Sequence, residues 1–326
     1  MAYIRQVVHP RSEDAPRRSA LMLCQAPPFL GFPPSCLPTK TLLGEPVVRH
    51  SHLISLLICA VMPLGAQAQS GVKAPAKPPL VFAISEGSSG GINAEGVKVK
   101  YQALTDTMSR AIGREITIAF VREFSALERG MKEQQFDLLV ARPSDYPARG
   151  LRDYKYAFVA TAKPDGHCEL LVHADSPLKT VADIKGKRLV MPEQKAYMSR
   201  FCNAELRDQG ILLENENVTY VREQGAIPFA IDNTISHVGG VASYSGAYKQ
   251  WKKAGKRVLL QSRAQPYMPL IASSSITPEQ IAKLQVALTG LANTDEGKVI
   301  LTQLGITDFV TTEELRLRKL LEWLGV

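Results

Sequence analysis

The chain lacks the short motifs that mark common catalytic and nucleotide-binding sites. It has no H-E-x-x-H metal motif, no Walker loop, no G-x-G-x-x-G fingerprint and no Cys-x-x-Cys pair. Ser176 and Lys179 have the spacing of a bare Ser-x-x-Lys, but the proline between them indicates a turn and a chance match. His167, His173 and His237 are isolated in the sequence, which favours structural roles over metal binding. We therefore expect no enzyme, no metal and no cofactor.

No hydrophobic run is long enough to cross a bilayer, which needs about 20 apolar residues. The run at residues 53–64 has about a dozen, follows a basic flank and ends at small residues. This arrangement predicts a signal peptide over about residues 47–68, with cleavage between Ala68 and Gln69, although a buried helix is an alternative. Residues 1–46 are rich in proline and show no sustained period, so we interpret them as a disordered extension upstream of the true start.

Charge is modest and dispersed. The chain has 39 Lys and Arg against 31 Asp and Glu, a net charge of +8. The first 68 residues hold six basic and three acidic residues, so 8 − 3 = +5 remains beyond them. A nucleic-acid-binding protein would gather such charge in one stripe. The one basic cluster, at residues 252–257, lies at a predicted helix end, where cations complement the helix dipole. We expect no nucleic-acid partner.

Only two of the five cysteines, Cys168 and Cys202, lie beyond the predicted leader. In an oxidising compartment an even pair can form a disulfide. Two separate buried thiols are the alternative. Both interpretations stay open, because the sequence does not report the Cα separation on which a bridge depends.

Short apolar strands alternate with segments of helical periodicity. The alternation predicts parallel sheets covered by helices. Turn-rich segments near residues 161–167 and 261–264 are candidate hinges between two such units. Boxes of the form Thr-x-x-Gln and Thr-x-x-Glu, at Thr277 and Thr311, predict the starts of two C-terminal helices. We expect a leader at 1–68, a tether at 69–78, a first lobe at 79–163 and 264–326, and a second lobe at 164–263.

One segment resembles a known family. Residues 175–190 (D-S-P-L-K-T-V-A-D-I-K-G-K-R-L-V) are similar to the segment where the second lobe begins in type 2 periplasmic solute-binding proteins. Within that superfamily the chain most resembles the phosphate, phosphite and phosphonate-binding family, from about residue 80 to the C-terminus. The resemblance implies an α/β fold of two lobes, each a mostly parallel sheet flanked by helices, joined by two hinge crossings. It further implies a monomer in the periplasm that binds a small anionic ligand between its lobes and passes it to an inner-membrane ABC permease.

Candidate binding residues follow the predicted strands, because ligands of open α/β sheets bind beyond the carboxyl ends of the strands. The glycines of the loop at 85–91 let the backbone approach an anion. A plain connection is the alternative, and Glu86 within it would meet a ligand amino group or solvent. Arg142 could pair bidentately with an anionic group. Its alternative is a surface pair with Asp145.

The resemblance adds further positions. Tyr146 ends a P-x-x-Y turn whose aromatic ring faces the ligand in the family. Phe124 stands where the family often has a tyrosine, although helix periodicity also allows a core aromatic. The family's serine-rich turns of the second lobe are altered here to Y-M-S-R at 197–200 and R-E-Q-G at 222–225, which weakens the expectation of phosphonate or phosphate itself. The expected ligand-binding residues are Glu86, Ser88, Ser89, Phe124, Arg142, Ser144, Tyr146, Tyr197, Ser199, Arg200, Gln224 and Ser243.

Three functions are compatible with this resemblance. The first is the solute-binding component of an ABC importer. The second is a sensory subunit that reports ligand to a membrane partner. The third, an enzyme on the same two-lobe fold, is the least favoured because the chain offers no recognised nucleophile or cofactor anchor.

Overall fold

The computed structural model describes residues 77–87 and 91–326. The predicted signal peptide, its Ala68–Gln69 cleavage site, most of the tether, and Ser88 and Ser89 lie outside the described residues. Contacts divide the chain into residues 1–70 and 71–326, and everything below concerns the second unit. Within the described part, no helix is both long and apolar enough to cross a membrane.

Eleven strands and nine α-helices are found in the described residues. In chain order they are β1 (Leu80–Ser85), α1 (Ala94–Ile112), β2 (Ile116–Phe120), α2 (Phe124–Lys132), β3 (Leu138–Ala141), α3 (Asp145–Asp153), β4 (Ala157–Gly166), β5 (Cys168–Val172), β6 (Arg188–Pro192), α4 (Tyr197–Asp208), β7 (Asn217–Val221), α5 (Ala226–Asp232), β8 (Val238–Ala242), α6 (Gly246–Lys253), β9 (Val258–Gln261), β10 (Gln265–Ala272), α7 (Pro278–Thr289), α8 (Asp295–Leu304), β11 (Asp308–Val310) and α9 (Glu314–Leu324).

The strands form two sheets. The first has the order β11-β4-β10-β3-β1-β2 and the second the order β7-β6-β8-β5-β9. Pairing is parallel between β1 and its neighbours β2 and β3, and between β6 and its neighbours β7 and β8. The remaining pairs, which involve the strands next to the chain crossings, are antiparallel. The chain passes from the first sheet to the second between β4 and β5 and returns between β9 and β10.

Local sequence signals explain several helix ends. The side chain of Asn93 accepts a hydrogen bond from Gly96 N at 2.8 Å and begins α1. The capping box predicted at Thr277 is confirmed, with both reciprocal hydrogen bonds to Gln280 present. The box predicted at Thr311 is wrong. Helix α9 begins at Glu314 without a side-chain cap, so its stability comes from packing of its apolar face.

Two elements do not follow from local patterns. Helix α3 begins within the predicted P-x-x-Y turn and continues to Asp153. Strand β11 near the C-terminus has no clear local signal. Both are short, and packing against other segments determines them rather than their own periodicity. Helix α8 differs, because the side chain of Thr294 accepts a hydrogen bond from Gly297 N at its start and Gly305 ends it in the left-handed conformation.

Packing against Phe136 requires a glycine at position 130 in α2. A Cβ at this position would lie 2.2 Å from Cζ of Phe136, far inside contact distance. The ring of Phe136 therefore lies directly against the helix backbone, and the propensity cost of a helical glycine is offset by this close approach.

One hydrophobic cluster extends through both sheets. It contains Leu139 and Leu320 from the part of the chain around the first sheet, and Leu170 and Phe201 from the part around the second. Two smaller clusters belong to one sheet each. The first and second lobes therefore share a continuous apolar contact through α3, α4 and α9. A disulfide between Cys168 of β5 and Cys202 of α4 lies next to this contact.

Candidate functional site

Two parallel strands of the first sheet bring the candidate residues together. Ser85 at the end of β1 pairs in register with Ala141 at the end of β3. The residues that follow, Glu86 and Arg142, therefore emerge side by side at the carboxyl edge of the sheet. The loop after β1 also approaches the turn after β3 closely. Gly87 has a φ of 60°, and a Cβ there would lie 3.0 Å from Cγ of Pro143.

Glu86 is the centre of a buried polar cluster. Its side chain is 3% exposed. Oε2 lies 2.7 Å from Nε of Arg142, and Oε1 lies 2.9 Å from Nζ of Lys100. Tyr101 donates a hydrogen bond of 2.6 Å from its hydroxyl to Oε1. Three elements, β1, α1 and β3, thus hold one carboxylate between two cations and a phenol.

The ionisation of this cluster follows from burial and charge. Burial raises the pKa of Glu86, but the charges of Arg142 and Lys100 outweigh it and hold the pKa below its usual value. Burial lowers the pKa of Lys100, as does the nearby charge of Arg142, while Glu86 opposes both. Burial raises the pKa of Tyr101 well above its usual value. Glu86 is therefore a carboxylate, and Tyr101 a neutral donor, over the physiological range.

Two tyrosines from opposite sides of the cleft meet above Arg142. The guanidinium carbon lies 5.8 Å from the ring centroid of Tyr244 and 6.0 Å from that of Tyr267. The two rings stack with centroids 4.4 Å apart. Tyr267 belongs to β10 of the first sheet, and Tyr244 follows β8 of the second. Burial raises the pKa of Tyr267 to about 12. Arg142 is therefore enclosed by neutral aromatic rings, which favour a cation.

The cleft between the sheets contains a small inner cavity and a wider outer recess. The inner cavity measures about 10 Å³, which is room for about one water molecule. The outer recess measures about 90 Å³ and shares Glu86, Gly87 and Phe124 with it. The inner cavity is lined by Glu86, Gly87, Phe124, Arg142, Pro143, Tyr197, Met198, Gln224 and Tyr244. The outer recess adds Gly91, Ile92, Phe120, Arg122, Glu123, Glu193, Arg222 and Glu223.

The predicted site residues divide between the cavity and its surroundings. Five of them line the inner cavity, namely Glu86, Phe124, Arg142, Tyr197 and Gln224. Tyr146 lies behind Phe124, with ring centroids 5.4 Å apart. Ser144 is buried and donates to the carbonyl of Pro266 at 2.8 Å. Ser199 is buried within α4. Ser243 accepts from the backbone of His167 at 3.1 Å and lines a separate cavity next to the crossings.

Arg142 and Asp145 do not form a surface pair, so this alternative for Arg142 is wrong. Arg142 pairs with Glu86, as described. Asp145 is fully buried and lies 3.1 Å from Nη1 of Arg200. Burial raises the pKa of Asp145 to about 6, although Arg200 and Arg149 act to lower it. Arg200 belongs to α4 and Asp145 to α3, so this ion pair joins the two lobes and does not point into the cavity.

Four residues around Glu86 and Arg142 are not among the expected ligand-binding residues. One of them, Tyr244, directly follows the predicted Ser243. Lys100 and Tyr101 lie in α1, where the periodicity of apolar residues assigns the tyrosine to the core. Tyr267 lies in β10, next to the predicted return hinge. Lys100 could have been predicted from the sequence. Helix α1 begins at the carboxyl edge of the sheet, so a lysine in its second turn lies close to that edge. Among the described residues, no group of three or more His, Cys, Asp and Glu could hold a metal ion.

The loop after β1 has one further property in its sequence. Residues 87–91, G-S-S-G-G, have the spacing of the G-x-S-x-G nucleophile motif. Ser88 to Gly90 lie outside the described residues, so the match is one of spacing alone.

Solved structures of other proteins share the fold. XAC2383 from Xanthomonas citri bound to ATP is 13% identical, with 75% of this chain and 97% of that chain covered at a TM-score of 0.61. PhnD1 from Prochlorococcus marinus in complex with methylphosphonate is 12% identical, with 76% and 97% covered at a TM-score of 0.60. A binding protein component of an ABC phosphonate transporter from Pseudomonas aeruginosa is 15% identical, with 73% and 84% covered at a TM-score of 0.55. At these identities the likeness shows the type 2 periplasmic binding protein fold alone.

A family model gives the class of protein. No curated protein matches the chain. The model described as "ABC transporter, phosphonate, periplasmic substrate-binding protein" matches residues 92–315, which is 315 − 92 + 1 = 224 of 326 residues. The chain belongs to this family of periplasmic substrate-binding proteins of phosphonate ABC transporters.

Proposed function

We propose that the chain binds a small anion in the cleft between its two sheets and delivers it to the permease of an ABC importer. Members of its family are periplasmic substrate-binding proteins that work with a membrane permease, and they are not enzymes. The observation that supports the ligand class is Arg142. It is a mostly buried cation that directly follows β3, 11% exposed, and it lines the inner cavity. A guanidinium in such a place recognises carboxylates, sulfonates and phosphonates through charge-assisted hydrogen bonds.

Binding requires the lobes to separate. An inner cavity with room for about one water molecule cannot admit even a small phosphonate. The Tyr244–Tyr267 stack and the Asp145–Arg200 pair both join the lobes, so opening breaks these contacts and closing restores them around the ligand. A ligand that contacts both lobes favours the closed form by its differential affinity for the two states.

The location and assembly belong to the same proposal. The chain would be exported by its predicted signal peptide and cleaved after Ala68, so that the mature protein starts at Gln69. The cleft is built from one chain and needs no second copy, which supports a monomer as the binding species. Sequencing of the mature N-terminus and light scattering of the purified protein test these two points.

Arg142 provides the direct test of anion binding. The full chain is purified and its thermal unfolding measured with phosphonates, phosphite, phosphate, sulfonates and carboxylates. A true ligand at about 100 times its dissociation constant should stabilise the protein by about 2.7 kcal/mol. Arg142→Gln should weaken binding of that ligand by about 10- to 100-fold, since a hydrogen bond to a charged group contributes about 1.5–3 kcal/mol.

The control is Arg318→Gln, which removes a half-exposed guanidinium that pairs with Glu314 on α9, away from the cleft. It should leave the affinity unchanged. Because Arg142→Gln removes one partner of a buried carboxylate, its folding is checked first by unfolding without ligand. Unchanged affinity of a folded Arg142→Gln protein would show that Arg142 is not the anion contact. If no anion stabilises the wild-type chain, the proposed function is wrong.

A further inference from the structure

We infer that the cleft selects a singly charged anion over a doubly charged anion of the same shape, because Glu86 already neutralises one of the two cations, Arg142 and Lys100, that contact it. This inference rests on the proposed function and concerns the ligand class of the same site. A sulfonate, a carboxylate or a phosphonate monoester fits such a site, whereas a fully ionised phosphonate or phosphate does not.

The charge balance of the cluster around Glu86 can be counted directly. Glu86 and Arg142 line the inner cavity, and Lys100 lies outside its lining, with Nζ 2.9 Å from Oε1 of Glu86. The two cations contribute two positive charges and Glu86 one negative charge, which leaves 2 − 1 = +1. Tyr101, Tyr244 and Tyr267 are neutral donors around them. One negative charge on a ligand brings this sum to zero, and two bring it to −1.

Glu86 is a fixed part of the site. Its carboxylate is held at 2.6, 2.7 and 2.9 Å by groups from α1 and from the turn after β3. Removing it from these partners would leave two mostly buried cations without this counter-ion, which is unfavourable. An arriving anion therefore shares Arg142 with Glu86 and does not displace it.

The outer recess supplies no compensating positive charge for a second anionic group. Besides Glu86, which is already counted above, it is lined by the basic residues Arg122 and Arg222 and by the acidic residues Glu123, Glu193 and Glu223, which add 2 − 3 = −1. These side chains are exposed, so water and salt screen them. The inner cavity is instead lined largely by apolar and aromatic side chains of both lobes, among them Phe124, Tyr197 and Tyr244, so an excess charge there is less well screened.

Methanesulfonate and methylphosphonate provide a matched pair of probes, because they share shape and size and differ by one charge when both are ionised. Binding of each to the full chain is measured by isothermal titration at constant ionic strength in mildly alkaline buffer, where the phosphonate carries two charges. We expect methanesulfonate to bind about tenfold or more tightly, given the repulsion between a second ligand charge and Glu86. As the pH falls and methylphosphonate takes up one proton, its affinity should rise towards that of methanesulfonate.

Glu86→Gln tests the assignment to this residue. It changes the charge of the Glu86, Arg142 and Lys100 cluster from +1 to +2 while keeping the side-chain shape, and it should reverse the preference towards doubly charged methylphosphonate. Glu95→Gln is the control, because it makes the same change in net charge in the exposed first turn of α1. It should leave the preference unchanged. If Glu86→Gln does not fold, the pH series on the wild-type protein still decides the question.

The outcomes separate this inference from the proposed function. If wild-type protein prefers doubly charged methylphosphonate, the inference is overturned and the proposed function stands. The inference also fails if a folded Glu86→Gln protein keeps the wild-type preference. If none of the tested anions binds, both are overturned. The inference is supported if wild-type protein prefers methanesulfonate, Glu86→Gln reverses this preference and Glu95→Gln leaves it unchanged.

Discussion

Burial and charge act in opposite directions at Asp145. The side chain is fully buried between α3 and α4, and burial raises its pKa to about 6 even though Nη1 of Arg200 lies 3.1 Å away. The same competition has the opposite outcome at Glu86, where two cations and a phenol hold the pKa below its usual value. The balance between burial and the opposing charges and hydrogen bonds therefore decides whether the protein favours the charged form of each carboxylate.

The raised pKa of Asp145 predicts how stability depends on pH. When the pKa of a carboxylate is higher in the folded protein than in the unfolded chain, the carboxylate lowers the free energy of unfolding at pH values above its folded pKa. This loss of stability disappears as the pH falls and the folded protein takes up the proton. Between the unfolded value of 3.8 and the folded value of about 6, the total effect is about 3 kcal/mol. Lowering the pH from about 7 to about 5 should accordingly stabilise wild-type protein by about 1 kcal/mol relative to Asp145→Asn.

Urea unfolding at several pH values measures this difference. Asp175→Asn serves as the control, because the side chain of Asp175 is 94% exposed. Parallel pH curves for wild type and Asp145→Asn would contradict the prediction.

Helix α9 holds the first lobe against the second. Its residue Trp323 contacts the ring of Phe201 edge-on at 5.3 Å and donates from Nε1 to Asp208 at 2.8 Å. The guanidinium carbon of Arg263 lies 4.9 Å from the Trp323 ring centroid. Phe201 and Asp208 belong to α4, and Arg263 lies at the return crossing. The side chain of Trp323 thus connects α9 to α4 and to the return crossing.

Truncation of this side chain should destabilise the protein. We expect Trp323→Ala to lower the free energy of unfolding by about 2–4 kcal/mol, because it removes a large half-buried ring together with its aromatic and cation contacts. Trp323→Phe retains most of the ring contact and should cost about half as much or less. Denaturant unfolding measures both. Equal losses for the two variants would assign the effect to the Nε1 hydrogen bond and not to packing.

At the scale of the whole molecule, the two sheets form a single structural unit with shared apolar packing. The cluster that contains Leu139 and Phe201 is continuous between the lobes. The disulfide between Cys168 and Cys202 connects the first strand after the crossing with α4, the helix that contacts α9. The disulfide therefore restrains α4, the helix of the second lobe that takes part in the contact between the lobes.

Loss of the disulfide should lower global stability. The sequence separation of 34 residues corresponds to about 3–4 kcal/mol of loop-closure entropy in the unfolded chain. Replacing both cysteines by alanine should reduce the free energy of unfolding by about this amount. A reducing agent should have a similar effect on wild-type protein and none on the double variant. Wild-type protein that is indifferent to the reducing agent would contradict the presence of the bridge.

Much of the architecture could be predicted from local patterns. Alternating apolar strands and helices, the box at Thr277 and the segment at 175–190 indicated two α/β units and their family, because periodicity and caps are properties of neighbouring residues. Short elements such as α3 and β11 could not be predicted, since packing against distant segments determines them.

The sequence by itself determined which side chains emerge at the carboxyl edges of the strands, and so identified Glu86 and Arg142 as candidates, while the family resemblance added Phe124. Only the tertiary structure decided which charges meet. Arg142 pairs with Glu86, 56 residues earlier, and not with its near neighbour Asp145, which pairs with Arg200 of the other lobe. The physical reason is that an ion pair depends on distances of a few ångströms, and these are set by the register of β1 with β3 and the packing of α3 on α4.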